Sequence, residues 1–229
     1  MKILVSSAFN DYCHNGPPFS ELAKVSIPVI KEYCESNNYD YFVKNLTKEE
    51  ESIRNASWWK LVNVQERLKN YDWAWSIDID GLIMNHNIQL ENIVDRNYDM
   101  MIASHDGTIQ TVNGGSILYK NSEWTNLFLA KMLDCEEFKT KGYWEQSTLV
   151  KFLEENVMDC KNRIKIVNCR LINSFYHYWF EKQNFQLGDL YCHLVGTDND
   201  YRYDTMLKLR DFIIKKDNYI QKQVKIWDK

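Results

Sequence analysis

Apolar positions along the chain fall into short continuous runs separated by helically spaced stripes, and that alternation sets the first expectations. Residues 2–8 are apolar and partly β-branched, as a buried first strand requires. Pro17 and Pro18 open a helix that reaches Ser36, with Leu22, Val25, Val29, Ile30 and Tyr33 near helical spacing. A second strand is expected over 39–43. Trp58, Leu61, Val62 and Leu68 form one stripe, so a helix over 58–68 packs one face on a sheet. Residues 72–77 are apolar on both faces of an extended chain and read as a central strand. Strand, helix, strand, helix, strand is the order of an α/β fold with a mostly parallel central sheet flanked by helices. Further strands are expected at 98–104, 115–120, 164–168 and 190–195, and helices at 122–133, 145–155 and 205–215. The charged tail from Lys216 is expected to fray. With no internal repeat and no low-complexity linker, residues 1–229 read as one domain.

Composition narrows the class. A chain of 229 residues that is 45% hydrophobic and 26% charged can bury a sizeable core. Its net charge of −4 gives no basic footprint for nucleic acid. A nucleotide ligand stays open, because a bound cation neutralises phosphates locally. The 8 Trp, 14 Tyr and 10 Phe are expected mainly in the core, with a few lining a cleft that meets sugar or base faces. The six cysteines show no Cys-x-x-Cys spacing, which suits reduced, buried thiols; only Cys160 and Cys169 are close enough to suggest a disulfide. No apolar run approaches the roughly 18 residues needed to span a bilayer. The N-terminal stretch is cut short by Asn10 and Asp11, so no signal peptide is expected. These features predict a soluble, cytoplasmic protein.

The sharpest chemical signal is Trp75-Ser76-Ile77-Asp78-Ile79-Asp80-Gly81, where an apolar strand ends in Asp-x-Asp. Side chains two apart on an extended chain point the same way. Two adjacent carboxylates repel unless a cation sits between them, and hard oxygen ligands suit Mn²⁺ or Mg²⁺. Such a cation would carry the diphosphate of a nucleotide donor. The bland reading is a pair of turn aspartates before Gly81. A sharper rival is a phosphohydrolase of the haloacid-dehalogenase type with Asp78 as nucleophile. That motif normally follows the first strand of its domain, whereas here a long α/β stretch precedes it. A third reading is a sugar-binding module whose aromatics stack on glycans.

Five stretches, in this order along residues 1 to 196, carry a family likeness. They are Trp58-Trp59-Lys60, the Asp78-Ile79-Asp80 segment with Met84-Asn85, Asn113-Gly114-Gly115-Ser116 leading to Trp124, Glu145-Gln146-Ser147, and His193-Leu194-Val195-Gly196. With them the chain resembles the GT-A glycosyltransferases, and more narrowly the GMA12/MNN10 galactosyl/mannosyl/xylosyltransferase family. Among family members it looks most like the small glycosyltransferase domains of large algal DNA viruses.

The resemblance implies a Rossmann-like GT-A domain with a nucleotide-binding half over about 1–105 and an acceptor and sugar half over about 106–215. It implies His193 as a third metal ligand beside Asp78 and Asp80, with Gly196 closing the motif. Ser6, Ser7 and Ala8 would meet base and ribose, and Lys60 the diphosphate, although a solvated helix lysine is equally open. Asn113, Gly114 and Gly115 would approach the donor sugar, or simply form a turn before a strand. Gln146 would stand near the reacting carbon. Glu145 departs from the family's Asp by one methylene. Asp106, beside His105, is a further catalytic candidate. The expected reaction moves glucose, galactose, xylose or rhamnose from a UDP-sugar to a glycan acceptor with retention.

Overall fold

The computed structural model describes residues 1–11, 16–176 and 184–215. The charged tail from Lys216, together with Cys13, His14 and His177, lies outside the described residues. The strands are β1 (Ile3–Phe9), β2 (Asp40–Asn45), β3 (Trp73–Ile77), β4 (Gly81–Ile83), β5 (Met100–Ser104), β6 (Val112–Lys120), β7 (Ile164–Asn168), β8 (Ser174–Phe175) and β9 (Tyr191–His193). The helices are α1 (Phe19–Asn37), α2 (Lys48–Ile53), α3 (Ala56–Arg67), α4 (Glu123–Leu133), α5 (Trp144–Glu154), α6 (Cys160–Arg163), α7 (Cys169–Ile172) and α8 (Asn199–Arg210).

A six-stranded sheet in the order β2-β1-β3-β6-β5-β7 forms the middle of the molecule. Its pairs β1/β2, β1/β3 and β5/β7 are parallel, while β6 runs against both β3 and β5. The expected mostly parallel α/β architecture is thus present, with one reversed strand at its centre. Every residue of β1, β3 and β5 is buried, which is why these strands read as continuous apolar runs rather than alternations. Side chains from the two faces of the sheet enter two separate cores. Val5, Trp75, Leu118 and Met101 join α1 residues Leu22, Val29 and Tyr33 on one face. Leu4, Ala74, Ile117 and Tyr119 join Trp58 and Leu61 of α3 and Phe128 of α4 on the other.

A second sheet has three strands in the order β4-β9-β8. It joins residues 81–83 to residues 191–193 and 174–175, so the chain just after Asp80 is stitched to segments far along the sequence.

Two expectations need correction. The helix predicted over 205–215 is α8, Asn199–Arg210, started by Asp198, whose carboxylate accepts the Tyr201 N–H at 2.8 Å. Its buried positions include Asn199 and Thr205 beside Met206 and Leu209, so the apolar stripe is too thin to mark the start. Asn113-Gly114-Gly115 lies inside β6 rather than in a turn before it. Helix α2 was not anticipated, although Thr47 and Glu50 make a reciprocal capping box there that the sequence displays. Cys160 and Cys169 are both free, as are Cys34, Cys135 and Cys192.

Candidate active site

The Asp78–Asp80 turn lies beyond the C-terminal end of β3, where open α/β sheets gather ligands. Long-range hydrogen bonds with four residues hold its backbone and that of Gly81. The Asp78 N–H donates to Gly115 O at 2.9 Å, and the Tyr191 hydroxyl donates to Asp78 O at 2.6 Å. The Leu194 N–H donates to Asp80 O at 3.1 Å. The buried Ser26 hydroxyl of α1 sits 2.7 Å from Ile79 O and 2.5 Å from Gly81 O. A strand end alone would leave these groups to water; here they are taken by α1, by β6, and by β9 with the residue that follows it.

Two glycines make this closeness possible. A Cβ on Gly81 would lie 2.1 Å from the Tyr191 hydroxyl oxygen, and one on Gly115 would lie 2.2 Å from Cε1 of His193. Neither position tolerates a side chain while those rings stay in place.

The side chains converge on the same point. His193 Nε2 stands 3.4 Å from Asp80 Oδ1 and 3.6 Å from Asp78 Oδ2. One ligand atom from each of the three residues lies within 4.8 Å of the others. Ligands about 2.1 Å from a cation and at right angles to each other stand about 3 Å apart, so small side-chain adjustments would close the set around Mn²⁺ or Mg²⁺. The ring orientation agrees with that use. Asn173 Nδ2 donates to Asn113 Oδ1 at 2.8 Å, which turns Asn173 Oδ1 towards His193 Nδ1 at 3.2 Å. With Nδ1 carrying the proton, the Nε2 lone pair faces two carboxylates, an arrangement that a proton or a metal cation must satisfy.

Two cations flank the aspartates. Lys60 of α3 is 1% exposed; its Nζ pairs with Asp78 Oδ1, donates to Gly114 O at 2.9 Å and stands 3.5 Å from Glu145 Oε1. Burial alone would lower the Lys60 pKa, but Asp78 and Glu145 outweigh it and hold the ammonium charged. On the open side, Arg202 Nε lies 3.2 Å from Asp80 Oδ2. Burial alone would raise the Asp80 carboxyl, yet Arg202 and then His193 pull it well below the ordinary carboxylate range. Glu145 shows the opposite balance: burial pushes its carboxyl up to about 7 against the nearby Lys60.

These groups open onto a cleft of ≈ 730 Å³ that Ala8, Asp78, Asp80, Gly114, Gln146 and Arg202 help to line. Gln146 is fixed in it, its amide oxygen accepting the Gly114 N–H at 2.9 Å. Trp144, at the start of α5, has φ 49, a left-handed conformation that costs an aromatic residue energy. That backbone turn sets Glu145 and Gln146 facing β6.

The structure therefore brings together Asp78, Ile79, Asp80, Asn113, Gly114, Gly115, Glu145, Gln146, His193 and Gly196, and Ala8 lines the same cleft. Lys60 lies behind Asp78, under the Gly114 carbonyl, rather than on the cleft wall where a diphosphate would meet it. Ser6 and Ser7 are buried within β1, and this part of the chain reaches the cleft only at Ala8 and Phe9 of the strand and at Asn10 just after it. Asp106 is exposed and outside the cleft lining. Its carboxylate orders its own loop by accepting from Thr108 N, Thr108 Oγ1 and Thr111 Oγ1, and these bonds hold its pKa down to about 2. Sequence reasoning missed Arg202, Asn173, Tyr191 and Ser26. Of these only Arg202 carried a signal: a cation in a helix begun by Asp198, just after the His193 motif.

A profile of the galactosyl transferase GMA12/MNN10 family matches residues 2–101 and 91–204. The chain belongs to the GMA12/MNN10 glycosyltransferase family. This transferase is 23% identical over 242 residues to the probable alpha-1,2-galactosyltransferase gmh2 of Schizosaccharomyces pombe, covering 89% of its own length and 68% of that protein. It is 25% identical over 185 residues to the probable alpha-1,6-mannosyltransferase MNN10 of Saccharomyces cerevisiae, covering 66% of the chain but 47% of that relative. Among solved structures, a glycosyltransferase involved in the glycosylation of the major capsid of PBCV-1 superposes with a TM-score of 0.69. At 17% identity that match covers 91% of this chain and all of the other, and it shows a shared GT-A fold. With the family in hand, the phosphohydrolase and sugar-binding readings of Asp78-Ile79-Asp80 fall away. No described helix of the transferase is long and apolar enough to cross a membrane.

Proposed function

We propose that this transferase moves a sugar from a UDP-sugar to a glycan acceptor with retention of configuration, and that it depends on Mn²⁺ or Mg²⁺ held by Asp78, Asp80 and His193. The observation that carries this reading is the meeting of those three side chains, from the β3–β4 turn and from β9, at the wall of a ≈ 730 Å³ cleft. A divalent cation bound there supplies the positive charge that stabilises the leaving diphosphate. Residues 1–105 then form the donor half and 106–215 the acceptor half, with His193 crossing from the second to complete the site of the first. Glucose, galactose, xylose and rhamnose are the donor sugars to test.

The protein's own groups divide the remaining work. Asn173 holds the His193 ring so that Nε2 presents its lone pair. Lys60 fixes Asp78 and the Gly114 carbonyl in one geometry, which keeps the site preorganised. Gln146, anchored by the Gly114 N–H, keeps a second carbonyl lone pair and its NH₂ group for the sugar ring. Glu145 is a poor nucleophile, because it is buried and holds its proton up to about 7. This supports a front-face substitution. The acceptor oxygen bonds to the anomeric carbon as the bond to the phosphate oxygen breaks, and that departing oxygen takes the acceptor's proton.

Thermal-shift titration with UDP-sugars, with and without Mn²⁺, tests the reading: a stabilisation that needs metal and one donor together is expected. Asp80→Ala should lose that stabilisation and all measurable transfer. Full transfer by Asp80→Ala in the presence of chelator would refute the assignment.

A further inference from the structure

Arg202 has a position that the proposed function leaves unused. Its Nε lies 3.2 Å from Asp80 Oδ2 and 3.0 Å from Leu194 O, and an Nη1 donates to Asn199 Oδ1 at 2.8 Å. The side chain is 15% exposed, lines the cleft and sits at the first turn of α8. The other oxygen of the same carboxylate, Asp80 Oδ1, is the one that faces His193. One aspartate thus serves an internal cation on one side and the ligand group on the other.

Charge counting gives this meaning. Asp78 and Asp80 carry two negative charges, and Lys60 and Arg202 supply two positive ones, so the protein neutralises its own ligand pair. A bare divalent cation that takes Asp80 Oδ1 shares the carboxylate with the positive charge already on Oδ2, which weakens its hold. A cation arriving with a diphosphate brings Arg202 new anionic oxygens, which a guanidinium recognises well.

We propose that Arg202 is the exchangeable counter-ion of Asp80: it holds the carboxylate before donor binding and transfers its guanidinium to the donor's diphosphate once a divalent cation takes the carboxylate. The inference rests on the reading of Asp78, Asp80 and His193 as the cation's ligands. Arg202 then makes metal and nucleotide bind as a coupled pair, each raising the affinity for the other by the same factor. Lys60 cannot do this, being locked behind Asp78 and off the cleft wall. Arg202 has a path, since it already borders the cleft beside Gly196 and Val195.

The test is Mn²⁺ binding followed by electron paramagnetic resonance, on wild type and Arg202→Gln, each alone and with saturating UDP or GDP. Wild type should bind Mn²⁺ weakly alone and more tightly with nucleotide. Arg202→Gln should bind Mn²⁺ alone roughly tenfold more tightly, because a competing charge is gone, while the gain on adding nucleotide shrinks roughly tenfold. Opposite signs separate this role from a structural one: if Arg202 only tied α8 to Leu194 and Asn199, its loss would weaken metal and nucleotide binding together. Unchanged or weaker Mn²⁺ binding by folded Arg202→Gln overturns the proposal. Should that variant fail to fold, Arg202→Lys, which keeps the charge and loses the planar fork, should bind Mn²⁺ alone like wild type with a reduced nucleotide gain, and an unreduced gain overturns it. If wild type itself takes up no Mn²⁺ with either nucleotide, the ligand assignment falls, and the inference with it.

Discussion

Lys60 and Arg202 neutralise the same pair of aspartates from opposite sides, and they are held in different ways. Lys60 comes from the middle of α3, is fully buried, and satisfies its three donors among Asp78, Gly114 O and Glu145. Arg202 comes from α8 near the end of the described chain, is partly open to the cleft, and shares its fork among Asp80, Leu194 O and Asn199. A buried charge is costly to leave unpaired, so the inner pair works as a fixed strut. The Arg202–Asp80 pair is itself largely buried, at 15% and 10% exposure, so the outer cation can change partners only when a new cation reaches Asp80 and new anionic oxygens reach Arg202 together. The site thus has a rigid side and an exchangeable side, set by which cation borders the cleft: Arg202 does and Lys60 does not.

The comparison can be broken most severely at Lys60. Lys60→Met should lower kcat/KM by about a hundredfold or more and destabilise the fold by about 3 kcal/mol, because Asp78 loses its buried partner. Denaturant melts and steady-state kinetics measure both, and an unaltered melt would show that the strut is dispensable. Next comes Gly115→Ala, whose Cβ collides with His193. Displacing that ring should weaken Mn²⁺ binding roughly tenfold while leaving the two flanking cations paired. A binding isotherm that matches wild type would place the ring outside the ligand set.

Glu145 sharpens the picture through pH. Its folded carboxyl sits at about 7, above its usual 4.5. The stability tied to its proton is therefore fully present below about 4.5 and lost as pH rises through 7. Glu145→Gln, which cannot ionise, should gain on wild type by a few degrees of melting temperature between pH 5 and pH 8. Parallel melting curves across that range would contradict the buried-acid account. The smallest effect is expected at Asp106, which belongs to neither side. Asp106→Ala should loosen its own loop and lower the melting point slightly, with turnover close to wild type; a large loss of kcat would return Asp106 to the catalytic list.

The fold was largely legible because its central strands are buried on both faces and its long helices carry apolar stripes. Asp78 and Asp80 were legible for a related reason: a doubly apolar strand ending in two acids has few structural uses. The rest of the site escaped because it depends on pairings between distant segments. Nothing local in Tyr191 announces that its hydroxyl reaches Asp78 O, and nothing local in Ser26 announces its place between the carbonyls of Ile79 and Gly81. Lys60 was found by its neighbours in sequence but expected to face phosphate; only packing reveals that α3 aims it at the back of Asp78. Arg202 sits on a helix with so few apolar positions that even its start was misplaced.

The hydroxyl of Tyr191 caps a carbonyl 113 residues upstream. During synthesis at roughly 5–20 residues per second, on the order of ten seconds pass between the appearance of Asp78 and that of Tyr191. Through that interval the two acids are present without the ring, the strand or the arginine that give them shape. A nascent chain therefore carries the acidic pair long before the cleft around it exists, and the site is complete only once its last described helix has formed.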